Sequence, residues 1–186
     1  MKSILSLALV ALLPCIKASF PGSTFGIVYN TTSSLIPSAG HLAVFQTETN
    51  PPGAFYTTIS PTTPDIGGYF TVAGVSGGVL HNACSDIGIA VLVPPNPPIN
   101  GLKYVLQWTP GPLNNLPEGS LVLPFQLGPA PTYDTIVNTD PQANPGTFKV
   151  VPFGGEASYV VGWADDETDG SAITLVKTGT QNVQCP

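Results

Sequence analysis

From Thr24 onward the chain alternates short runs of β-branched and aromatic residues with clusters of Gly, Pro, Asn and Asp. The runs suit a pleated, half-buried surface, and the clusters supply positive φ or proline's fixed φ at corners. This pattern predicts strands at Thr24–Tyr29, His41–Glu48, Ala54–Ile59, Tyr69–Ala73, Ile87–Val93, Leu102–Thr109, Leu121–Leu127, Tyr133–Val137, Thr147–Phe153, Ser158–Trp163 and Ala172–Lys177. Leu102, Tyr104, Leu106 and Trp108 fall on one face of their strand, with Lys103, Gln107 and Thr109 on the other. Tyr159, Val161 and Trp163 line up in the same way. Ile87–Val93 is instead apolar on both faces, which predicts a strand covered on each side. The 21 Pro and 20 Gly recur too often for any long helical face. Many short strands at such spacing predict an all-β, antiparallel β-sandwich or jelly-roll-like barrel with Pro/Gly-rich loops. Pro94–Pro98 and Pro110–Pro117 read as stiff connectors, since proline offers no N–H to a ladder. Neither separates two compositions, so one domain is expected from residue 20 to 186, without an evident internal repeat.

The first 19 residues read differently. Lys2 precedes the apolar run Ile4–Leu13, and the small residues Ala18 and Ser19 offer a cleavage site. This is the form of a secretory signal peptide, with an apolar run too short to cross a bilayer. No later stretch has membrane-spanning length, and no apolar tail suggests a lipid anchor. Cleavage would remove two of five basic residues, leaving Lys103, Lys149 and Lys177 against 11 acidic residues, a formal charge of −8. Phosphate-rich partners require clustered Lys and Arg. Nucleic acid and anionic membrane are therefore not expected as partners. Cleavage also removes Cys15 and leaves Cys84 and Cys185, an even count that predicts one disulfide in an oxidising compartment.

Motifs for catalysis are weak. Gly74-Val75-Ser76-Gly77-Gly78 fits G-x-S-x-G, but no helix signal follows Ser76 and no histidine follows His81. The order His41, Asp65, Ser76 is compressed into too short a span for a two-barrel serine protease. His41, His81 and Asp86 lack the tight spacing of a zinc set, and the mature N-terminus is not the histidine that copper monooxygenases use. Glu48, Glu118 and Glu156 are the candidates for a glycosidase pair, yet no two are set visibly on one face. Asp165, Glu167 and Asp169 offer alternate oxygen ligands for calcium, although position 12 of an EF-hand count is Val176 rather than Glu. The Asp169-Gly170 end supplies the positive φ of a hairpin turn, and the turn is the favoured reading.

Trp108, Trp163 and Tyr133 are the candidates for a sugar-stacking platform, with Tyr104 and Tyr159 beside them; on alternating strands such rings commonly turn inward instead. Asn30-Thr31-Thr32 is the chain's one N-glycosylation sequon. In overall character the chain resembles the small, acidic, Pro/Gly/Thr-rich proteins that filamentous fungi secrete, a likeness of class that carries no site residue. The expectation is a secreted, non-catalytic, wall-associated or effector-like protein that binds a cell-wall polysaccharide or a host surface protein and needs no cofactor. The alternatives are a jelly-roll hydrolase and a calcium-dependent module.

Overall fold

The computed structural model describes residues 24–46, 54–61, 67–72, 78–84, 86–129, 131–132, 134–154 and 157–180, without the side chains of 69–72 and 180. They form one 12-stranded antiparallel sheet, and one 3-10 turn at Leu113–Asn115 is the helical element among them. The strands are β1 Phe25–Asn30, β2 Ala39–Phe45, β3 Phe55–Ser60, β4 Gly67–Val72, β5 Gly78–Asn82, β6 Ile89–Val93, β7 Tyr104–Thr109, β8 Phe125–Leu127, β9 Thr135–Asn138, β10 Thr147–Gly154, β11 Ala157–Ala164 and β12 Ser171–Thr180. Each predicted strand has a counterpart. The addition is β5, whose Gly-led, His- and Asn-bearing sequence reads locally as a turn.

The pairings close on themselves. β1 pairs β4, β4 pairs β5, β5 pairs β8, β8 pairs β9, β9 pairs β12, and β12 returns to β1. The remaining strands form three hairpins, β2–β3, β6–β7 and β10–β11. These are joined to one another through β3–β7 and β7–β11. The same plan therefore occurs three times along the chain. In each unit the first and fourth strands belong to the ring, and the second and third form a hairpin. A sheet edge left bare invites pairing with other chains, and closure of the ladders removes most of that hazard.

Two apolar clusters hold this arrangement. The larger gathers Ile27, Tyr29, Leu80, Leu92, Leu106, Trp108, Phe125, Phe148, Val161 and Trp163. The smaller contains Tyr56, Val105, Val151 and Val160, with Phe45 and Phe153 packed against it. Hairpin strands lie between the two: Leu106 faces the first and Val105 the second, while Val161 and Val160 divide likewise. The face of β7 that carries Gln107 and Thr109 is thus buried as well, and Leu102, expected on the face of Tyr104, Leu106 and Trp108, joins the smaller cluster instead. The double coverage predicted for Ile87–Val93 agrees with β6, which is buried from Ala90 to Val93 and pairs with both β5 and β7.

The turn into β6 depends on Gly88. Its φ is +81°, and a Cβ there would stand 1.9 Å from the Thr109 carbonyl oxygen. Any side chain would need both the left-handed conformation and a displaced β7. Cys84 is buried in the same turn, where its carbonyl accepts bonds from the Ile87 and Gly88 amides and its own amide donates to Asn82 Oδ1. Its expected partner Cys185 lies outside the described residues, as do the 19 residues expected to form a signal peptide.

Candidate functional site

The residues singled out for sugar stacking are distributed unevenly. Trp108 is 0% exposed, and its indole N–H donates to Thr57 Oγ1 at 3.0 Å. Trp163 is 5% exposed, donates to the Ala143 carbonyl at 3.0 Å, and stands edge-on to Phe148 with ring centroids 5.0 Å apart. Both indoles have their donors satisfied inside the protein, as buried tryptophans generally do. Trp108 offers no ring face to solvent, and Tyr104 is buried beside it in the core. Tyr133 lies outside the described residues.

The other candidates do not converge. Ser76, Asp65, Glu48 and Glu156 lie outside the described residues, and Glu118 is exposed in the loop after Pro117. His41 is half-buried on β2, and His81 is half-buried on β5. Among the described residues no three His, Cys, Asp or Glu side chains are grouped to hold a metal ion. Burial lowers the His81 pKa below its ordinary 6.5. The unfolded chain therefore takes up a proton that the folded one resists, and stability falls as pH drops through about 6.5 before levelling off below the folded-state value. Melting curves should show a shallower acid slope for His81→Asn; an unchanged slope would assign the dependence elsewhere.

The acidic loop between β11 and β12 is organised around a cation that the protein supplies. Lys149, 5% exposed on β10, donates to the carbonyls of Asp166 at 2.9 Å and Thr168 at 2.7 Å. Asp165, Glu167 and Asp169 point outward and are exposed. A further turn bond from the Thr168 amide to the Asp165 carbonyl, and a φ of +127° at Gly170, close the loop as a turn. Bonds to a charged donor contribute about 1.5–3 kcal/mol. We expect Lys149→Met to lower stability by about that amount, read by urea unfolding. Calcium or EDTA should leave the wild-type midpoint unchanged, whereas a calcium-dependent rise would restore the loop as an ion site.

What the fold does assemble is a neutral shelf beside β12. Two shallow cavities of about 270 and 300 Å³ adjoin there and share Thr147, Ile173 and Thr174. Asn30, Thr31 and Thr32 line one side; Thr135, Asn138 and Asn144 line the other, where Trp163 forms part of the wall. Alternation along β12 sends Ile173 and Leu175 inward and leaves Thr174 exposed, directly across the ladder from Asn30. The local geometry is tightly fixed. Thr31 Oγ1 donates to the Ala172 carbonyl at 2.6 Å and accepts from the Ser33 amide at 3.0 Å. Asn138 is 7% exposed; its Oδ1 accepts from the Asp140 amide at 2.9 Å, while its Nδ2 has no partner among the described residues. No charged side chain lines either cavity. Hydroxyl and amide groups without charge can exchange hydrogen bonds with a neutral polyol. Alternation within Ala172–Lys177 is the local signal that could have marked Thr174 as outward-facing, but the shelf itself unites residues from distant strands and no local motif marks it. No known protein family, curated protein or solved structure matches the chain.

Proposed function

We propose that this chain is a secreted, single-domain protein of β-trefoil architecture that binds a neutral cell-wall or host-surface polysaccharide and performs no chemistry on it. The architecture would be a six-stranded barrel, β1–β4–β5–β8–β9–β12, capped by the three hairpins. The threefold pairing plan supports that reading. A bridge from Cys84 to Cys185 would tie the second unit to the chain's end. Its support is the burial of Cys84 and the even cysteine count left once the first 19 residues are removed. Export rests on the signal-like first 19 residues.

One observation carries the ligand class: the shelf is built from threonine and asparagine with no charge on it. The free Nδ2 of Asn138 supplies a donor that a sugar hydroxyl would satisfy. Ligand orientation in such sites is set by a few polar groups of this kind. Asn30, exposed at the rim, carries the glycosylation sequon. A glycan there would compete for the same space.

Sedimentation with insoluble β-glucan, chitin and mannan tests the reading. One of these polymers should retain the protein. Thr174→Arg, an exposed substitution expected to change stability by no more than about 0.5 kcal/mol, should weaken retention at least about tenfold. Enzymatic trimming of a glycan at Asn30 should strengthen it in material made by a glycosylating host, and the same treatment should leave bacterial material unchanged. Full recovery in the supernatant with all three polymers, or equal retention of Thr174→Arg, would sink the proposal.

A further inference from the structure

A second concavity, of about 440 Å³, lies between the β2–β3 hairpin and β11. It is distinct in character from the shelf. Ala43, Phe45 and Ile59 supply apolar walls, Ser158 and Tyr159 come from β11, and Tyr29 reaches it from β1. No charged side chain is among its lining residues. Its size falls within the usual range for small-molecule sites.

Tyr29 is the informative residue. It is 0% exposed, and its hydroxyl has no hydrogen-bond partner among the described residues. Buried tyrosine hydroxyls ordinarily find one, because an unmade bond leaves the desolvation of the group uncompensated. The ring is held by the backbone rather than by chance. Tyr29 pairs with Gly40 across the β1–β2 ladder, and a Cβ at Gly40 would stand 2.8 Å from Tyr29 Cε1 and 2.9 Å from the Ser60 carbonyl oxygen. The absence of that side chain lets the phenol lie flat over the strand. Burial, and then the neighbouring Tyr159, raise its pKa above the ordinary 10, so the group remains a proton donor at any physiological pH.

We propose that this cleft binds a small neutral molecule with a ring-sized apolar body and one acceptor oxygen, which takes its hydrogen bond from the Tyr29 hydroxyl. The apolar walls select against free sugars, and the lack of a charged partner selects against ions, whose desolvation nothing in the cleft would offset. A ketone, ester or aryl ether satisfies both conditions. The exposed Ser158 lies where the cleft opens to solvent.

Prodan, a neutral naphthalene ketone whose emission shifts to the blue when it leaves water, is a direct probe. The wild-type protein should bind it saturably with a blue shift. Tyr29→Phe removes one oxygen and keeps the ring, and it should weaken prodan about tenfold. The same variant should leave 2-dimethylaminonaphthalene, which lacks the ketone, unaffected. Ser158→Trp, a substitution at an exposed position, should block both probes. Thr174→Arg should change neither, so failure at the shelf and failure here remain separable. Absence of saturable binding to the wild type, equal prodan affinity in Tyr29→Phe, or undiminished binding to Ser158→Trp would each overturn the assignment.

Discussion

Replacing Trp108 with alanine should lower the unfolding free energy by about 3–5 kcal/mol, the cost of deleting a large aromatic from a packed interior. In a domain of this size that corresponds to a fall in melting temperature on the order of 10 °C. The effect exceeds the loss of buried area alone. Thr57 Oγ1 accepts from the Trp108 indole at 3.0 Å and donates to the Leu106 carbonyl at 2.8 Å, so the indole is one end of a buried relay across β3 and β7. Truncation leaves a cavity in the larger cluster and removes the donor to a fully buried threonine. Trp108→Phe should therefore recover part of the packing but not the hydrogen bond, and settle between the two. Binding to the retaining polymer, measured per folded molecule, should be unchanged in both variants. If Trp108→Ala melted within about 1 °C of wild type and lost polymer binding instead, the ring would be a surface group and the core described here would be misassigned.

Trp108 also shows which part of this molecule is readable from local sequence. Alternation in Leu102–Thr109 correctly puts Tyr104, Leu106 and Trp108 on one side. It errs on Leu102, which joins the smaller cluster, and it does not show that Gln107 and Thr109 on the other face are buried, because the hairpin strand lies between two apolar clusters and the second includes Val151 and Val160 from another unit. Burial of the opposite face is thus a property of tertiary packing, which a period of two does not encode. Lys149 is the same lesson in polar form. It sits between Phe148 and Val150 like any solvent-facing residue of an alternating strand, yet its partners are carbonyls 17 and 19 positions later. The threefold plan was hidden for a different reason. Asn30, Asn82 and Asn138 each end the first strand of a unit. Tyr104 to Trp108 is repeated as Tyr159 to Trp163, but the matching stretch of β3 runs from Phe55 to Ile59. The repeat survives in pairing register and in residue class at spacings of roughly 50 residues, with identity confined to scattered positions. The unread strand β5 belongs to this plan, and with Asn30 and Asn138 aligned, Asn82 would have marked its end. The shelf depends on strands from the first and third units meeting at β12, so it became visible only once the ring had closed.

Breaking the proposed Cys84–Cys185 bridge should cost about 3–5 kcal/mol, since a crosslink closing a loop of about 100 residues removes roughly 4.7 kcal/mol of unfolded-chain freedom in the entropic picture. The form of the loss is more diagnostic than its size. The backbone around Cys84 is held without the sulfur: its amide donates to Asn82 Oδ1 at 2.8 Å, and its carbonyl accepts from the Ile87 and Gly88 amides. Cys84→Ala should accordingly leave the native turn in place and act mainly on the unfolded ensemble. Cys185→Ala should then cost nearly the same, and the double variant no more than either single one, because one bond can be lost only once. Independent thiols would instead give additive and unequal losses, with Cys84→Ala the larger through the cavity it leaves. Chemical unfolding of the three variants, together with the mass of native protein after alkylation, separates these cases. An alkylated native protein, or additive single effects, would show that the second unit is not tied to the chain's end. The stability of the sheet would then rest on its closed ladders and two apolar clusters alone.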